Sequence, residues 1–135
     1  MALPKILIVD DDADHRRGLN LRLRANHYET VLAADAAQAV SAAKKDRPDL
    51  VLLDLRLPGD DGFVVMEEFR ASEELSVIPV IVITILNSAR DRALEAGAVA
   101  FFQKPADNAA LLAAIRRALG EVSMSIILNT QIVRG

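Results

Sequence analysis

The chain has 135 residues, room for one hydrophobic core but not comfortably for two. With 52% hydrophobic and 26% charged residues it has a globular balance, and with 4% aromatics and no Trp its core must be aliphatic. A net charge of -3 offers no basic footprint for nucleic acid, and zero cysteines exclude a disulfide framework or a thiolate metal site.

In chain order, Lys5 leads into Ile6-Leu7-Ile8-Val9, a continuous apolar run of the kind that forms a strand buried on both faces. The run is far too short for a signal peptide or a membrane span, so a cytoplasmic protein is the simplest expectation. Asp12-Ala13-Asp14 can cap a helix carrying Leu19, Leu21 and Leu23 that stops near Asn26. A second strand is predicted from Tyr28 to Leu32. Asp35 then caps an Ala-rich helix ending around Lys45, beyond which Pro48 blocks extension. Leu50 to Leu53 is the third strand. Pro58-Gly59-Asp60-Asp61-Gly62 is turn chemistry, followed by a helix from Phe63 to Arg70. Pro79 opens a fourth strand, Val80 to Ile83. A weaker helix, Ala89 to Glu95, ends at the C-cap glycine Gly97. Val99 to Phe102 is the fifth strand, and Asp107 caps a last helix reaching Leu119.

Five repeats of strand then helix imply a parallel sheet covered on both faces, because parallel neighbours need crossover connections. Five strands suit the flavodoxin-like order 2-1-3-4-5, with the first and third strands adjacent at the switch point and ligands bound beyond the carboxyl ends.

The residues at those ends carry the chemistry. The first strand ends in Asp10-Asp11-Asp12, the third in Asp54, the fourth in Thr84 and the fifth in Lys104-Pro105. Carboxylates gathered at one edge repel at low dielectric, and a hard divalent cation such as Mg²⁺ resolves the repulsion with oxygen ligands. An Asp carboxylate is a competent nucleophile toward phosphorus, Thr84 can donate to a phosphoryl oxygen, and Lys104 supplies a point positive charge. Taken singly, each has a blander reading: Asp12 and Asp14 as helix caps, Thr84 as a β-former, Lys104 as a solvated strand end. Their joint placement favours a phosphoryl-acceptor site.

These segments together, with Val-Leu-Leu-Asp54-Leu-Arg-Leu-Pro58 and Gly97-Ala-Val-Ala-Phe101-Phe-Gln-Lys104-Pro105, resemble the response-regulator receiver family of two-component signalling. The likeness covers residues 4–120, expected to be the receiver domain. It implies Asp54 as phosphoacceptor, and Asp10, Asp11, Asp54 and the backbone carbonyl of Arg56 as ligands of Mg²⁺ or Mn²⁺. It further implies Thr84 and Lys104 as the phosphoryl-binding pair, Phe101 as an aromatic switch, and a cis peptide between Lys104 and Pro105. The family acts as a switch rather than an enzyme: phosphorylation draws Thr84 inward, Phe101 follows, and the face of the fourth helix, fifth strand and fifth helix changes. The expected partners are a sensor histidine kinase or phosphotransfer protein and a downstream effector, with no direct nucleic-acid or membrane contact.

Four positions depart from the family pattern. Ile85 replaces a small residue and should crowd the path to Asp54. Leu86 and Arg56 occupy positions that tune self-dephosphorylation, and an apolar Leu86 favours a longer-lived phosphoryl group. Ala106 replaces a Phe and removes packing under the last helix. Residues 121–135 fall outside the strand–helix pattern, and the simpler reading of their apolar alternation is a linker. The sharper reading is an arm that pairs with a second subunit in a homodimer. His15 and His27 are expected to be surface polar residues. Two enzyme or cofactor readings are weaker. A haloacid dehalogenase-type phosphatase would need an Asp where Arg56 stands, and a nucleotide or flavin module would need a Gly-rich loop where Asp10-Asp11-Asp12 stands.

Overall fold

A computed structural model describes residues 3–57 and 62–121. The strands are β1 (Lys5–Val9), β2 (Glu29–Ala33), β3 (Leu50–Leu53), β4 (Val80–Thr84) and β5 (Ala100–Gln103). They alternate with α1 (Ala13–Ala25), α2 (Ala36–Asp46), α3 (Gly62–Ala71), α4 (Arg90–Glu95) and α5 (Asn108–Ala118). All strand pairs are parallel, in the order β2-β1-β3-β4-β5 that the repeat pattern predicts.

Every residue of β3 and β4 is buried, and β1 is buried from Ile6 to Val9, as continuous apolar runs require in a doubly covered sheet. Alternate side chains go to opposite faces. Leu7, Val9, Val51, Leu53, Val82 and Phe101 meet α2, α3 and α4, whereas Ile6, Ile8, Leu50, Leu52, Ile81 and Ile83 meet α1 and α5. A fully buried Leu or Ile contributes about 2 kcal/mol, so these central strands hold the molecule together.

Boundaries shift by a residue or so from the sequence reading. Tyr28 donates its backbone N–H to Leu23 O, closing the end of α1, so β2 starts one residue later. Val99 is 55% exposed, and β5 begins after it. A 3₁₀ turn over Asn87–Ala89 precedes α4, which shortens the predicted helix. Gly97 does cap α4 with a left-handed φ of 109°, its neighbour Ala98 bonding back to Ala93 O at 3.0 Å. The turn at Pro58-Gly59-Asp60-Asp61 and the tail beyond Glu121 lie outside the described residues. Among the described residues, no helix is long and apolar enough to cross a membrane.

Candidate functional site

The parallel ladder runs on for one residue past three strands. Asp10 N–H donates to Ala33 O at 3.0 Å, Asp54 N–H to Val9 O at 2.9 Å, and Lys104 N–H to Thr84 O at 2.9 Å. The sheet's own hydrogen bonds thereby fix the backbones of all three residues at its carboxyl edge, on either side of the β1–β3 switch point.

Carboxylate oxygens of Asp10, Asp11 and Asp54 lie within 4.8 Å of one another. Asp10 and Asp54 are buried, whereas Asp11 faces the opening. The Lys104 ammonium bridges the two buried acids, 2.7 Å from Asp54 Oδ2 and 2.9 Å from Asp10 Oδ2. Burial alone would pull the lysine's pKa down, but its hydrogen bonds to Asp54 and Asp10 outweigh that and hold it above the ordinary 10.5. Asp11, Asp12, Asp54, Arg56, Ile85 and Lys104 line one open cleft. Arg56 donates its backbone N–H to Asp54 Oδ1 at 3.0 Å, which fixes the carboxylate's second oxygen.

Asp12 and Asp14 behave as helix-start residues. Asp12 is the N-cap of α1 and accepts from the N–H groups of Asp14 and His15. The bond from His15 is the main reason its carboxyl titrates below the ordinary value. Asp14 pairs with Arg17 at 3.7 Å on the surface.

Thr84 ends β4 fully buried, its hydroxyl accepting from Leu86 N–H at 3.4 Å. Among the described residues, Thr84 meets Lys104 through its backbone carbonyl, and no hydrogen bond seen there joins its hydroxyl to Asp54 or to the Lys104 ammonium. Phe101 sits two strand positions before Gln103 and is 8% exposed, with the Arg90 guanidinium 5.8 Å from its ring centre. Phe102 packs on the opposite face, as strand alternation requires. The Lys104–Pro105 peptide is cis. Ile85 is 49% exposed and lines the cleft beside Asp54.

One expectation is corrected. His27 is exposed, with φ 68°, but His15 is not a free surface residue. Its Nδ1 meets Asp10 Oδ2, and its side chain is 28% exposed. Helical side chains lean toward the helix N-terminus, so a first-turn residue of α1 reaches back over the end of β1. The separation of five residues from Asp10, astride a helix start, was the available signal.

With this geometry in hand, comparison with known proteins decides the family. The sequence profile of the response regulator receiver domain matches residues 6–116. This chain belongs to that family. It is 40% identical over 114 residues to the response regulator PleD of Caulobacter vibrioides, covering 83% of the chain and 25% of the relative. It is also 40% identical over 124 residues to a probable transcriptional regulator of Porphyridium aerugineum, covering 90% of the chain and 50% of the relative. The chain thus spans a quarter to a half of these relatives. Among solved structures, a putative response regulator from Chloroflexus aurantiacus superposes with a TM-score of 0.83 at 30% identity, covering 88% of this chain and 99% of that one. The receiver domain of a sensor histidine kinase from Pseudomonas aeruginosa, with a magnesium ion coordinated in its active-site cleft, gives 0.81 at 34% identity over 89% and 100%. Receiver domains work with histidine kinases or phosphotransfer proteins, and the acid cluster of this one suits a metal.

Proposed function

We propose that this receiver domain accepts a phosphoryl group on Asp54 from a sensor histidine kinase or phosphotransfer protein, and that the modification switches its α4–β5–α5 face. The observation that carries this reading is the convergence of three carboxylates and one ammonium at the sheet's carboxyl edge, beside an open cleft. Asp54 is the nucleophile: one of its oxygens bonds to phosphorus while the bond from phosphorus to the donor breaks and its electron pair leaves with the donor group.

The donor set is all hard oxygen, which suits Mg²⁺ or Mn²⁺. Asp10, Asp11, Asp54 and the backbone carbonyl of Arg56 would hold the ion. A bound divalent ion neutralises charge between the acids and an incoming phosphoryl group. Lys104 already stands 2.7 Å from Asp54 and would follow the phosphoryl oxygens as they arrive. Thr84 would exchange its weak bond to Leu86 N–H for a donated bond to a phosphoryl oxygen. Phe101 would then repack in the space behind it. The receiver unit spans residues 4–120, with 121–135 as a linker. As a receiver domain it acts in this reading as a switch that carries the phosphoryl group on its own Asp54.

The test is the intact mass of the full chain after incubation with acetyl phosphate and Mg²⁺. One added phosphate, removed by hydroxylamine and missing from Asp54→Asn, is the expected result. A phosphate that persists in Asp54→Asn would overturn the proposal.

A further inference from the structure

We propose that His15 is a positioning residue for phosphoryl transfer, holding Asp10 in place while Lys104 turns to the incoming phosphoryl group. The inference rests on the reading of Asp54 as phosphoacceptor.

Lys104 has three N–H donors and, before transfer, aims two of them at Asp10 Oδ2 and Asp54 Oδ2. Transfer turns one Asp54 oxygen into the bridging oxygen of an acyl phosphate, a poorer acceptor, and brings three strong acceptor oxygens beside it. Lys104 is therefore drawn away from the carboxylates. Asp10 is 2% exposed and cannot turn to water for a replacement. Its Oδ1 keeps the backbone N–H of Asp12 at 2.9 Å. Its Oδ2 has two partners, Lys104 and His15 Nδ1. Were His15 unable to donate, departure of Lys104 would leave Asp10 Oδ2 with no protein donor and dependent on the bound divalent ion alone, and the lysine would be held back. A neutral imidazole carrying its proton on Nδ1 is a sufficient donor, so the device needs no protonation change.

The placement of His15 is built rather than incidental. The Asp12 cap accepts from its backbone N–H at 3.2 Å, and its neighbour Arg16 donates to Asp10 O at 2.6 Å. The first bond fixes the first turn of α1 on its cap, and the second ties that turn to the end of β1. Groups that hold a site carboxylate in this way commonly affect metal affinity or activity as strongly as some direct contacts do.

The side chains of Asn and Leu test the donor separately from the volume. Asn places an amide nitrogen on the atom position of Nδ1, whereas Leu fills the same branch without a donor. Initial rates of phosphorylation by acetyl phosphate at saturating Mg²⁺ are compared for the full chain, His15→Asn, His15→Leu and a second donorless variant, His15→Met. Thermal melts check that each is folded. The donorless variants should react about tenfold more slowly than the native chain, while Asn keeps most of the native rate. A donorless variant that is folded and reacts at the native rate overturns the inference, as does an Asn variant as slow as Leu. A native chain that takes up no phosphate overturns both this inference and the function it rests on. Native uptake with unaffected donorless variants overturns His15 alone.

Discussion

At Lys104 one cation stands between two buried anions, and the charge count decides what substitution does. Removing the ammonium leaves Asp10 and Asp54 facing each other at the sheet edge. Lys104→Met should therefore destabilise the fold by about 3 kcal/mol. Removing one acid instead leaves a balanced Asp10–Lys104 pair, so Asp54→Asn should raise stability by about 1 kcal/mol while abolishing modification. Urea denaturation of the two variants checks the pair of signs; a destabilised Asp54→Asn would mean that the acids do not repel one another. Ile85 makes a separate prediction at this scale. Its branched side chain lines the cleft beside Asp54, so Ile85→Ala should speed reaction with acetyl phosphate severalfold at unchanged stability. An unchanged rate would show that the entry path lies elsewhere. The residue scale is also where the sequence was least informative. Asp54 and Lys104 are legible because strand ends are legible, but the contact of His15 with Asp10 depends on how a helix start leans over a strand. Thr84 is legible as the end of a strand, but its hydroxyl accepting from Leu86 N–H is a rotamer that no pattern of residue types encodes.

Among the elements, the start of α3 sits hard against the residues that follow β3. Gly62 opens α3, and its N–H donates to Leu55 O at 2.8 Å. A Cβ there would lie 2.6 Å from Leu55 Cα and 2.8 Å from Asp54 O, both backbone atoms that cannot swing aside. The glycine is required by close approach. Gly62→Ala should cost about 2 kcal/mol and also slow phosphorylation, because relief of the clash moves the segment that carries Asp54. A variant with lost stability but native phosphorylation rate would separate the helix start from the site. Element types were readable because the period changes from continuous apolar runs to helical spacing with Asp caps at Asp12, Asp35 and Asp107. The ends of β2 and β5 were less readable. Tyr28 and Val99 are good strand formers, and which hydrogen bonds they join depends on the preceding helix end.

For the molecule as a whole, the sheet order followed from repeat number and chain connectivity, and all the chemistry follows from that order: only with β1 next to β3 do Asp10 and Asp54 share an ammonium. The far end of the sheet offers an independent check of the fold. Tyr28, the only tyrosine, is buried and donates to Glu121 Oε2 at 2.8 Å. Burial first, and the Glu121 carboxylate second, push its phenol from the ordinary 10.0 up to about 12. The folded state thus binds this proton more tightly than the unfolded one. Its stabilising contribution is complete below pH 10.0 and is lost as pH rises toward about 12. Phenolate absorbance should titrate near the upper value in the native chain and lower in Glu121→Gln. A native midpoint near 10.0 would place Tyr28 in solvent.

The central claim is that one particular carboxylate at this edge becomes an acyl phosphate, and borohydride reduction tests it most directly, because hydride converts an aspartyl phosphate to homoserine. After treatment with acetyl phosphate and Mg²⁺, reduction and peptide sequencing should find homoserine at position 54. Homoserine at position 10 or 11, or at no aspartate, would contradict the account.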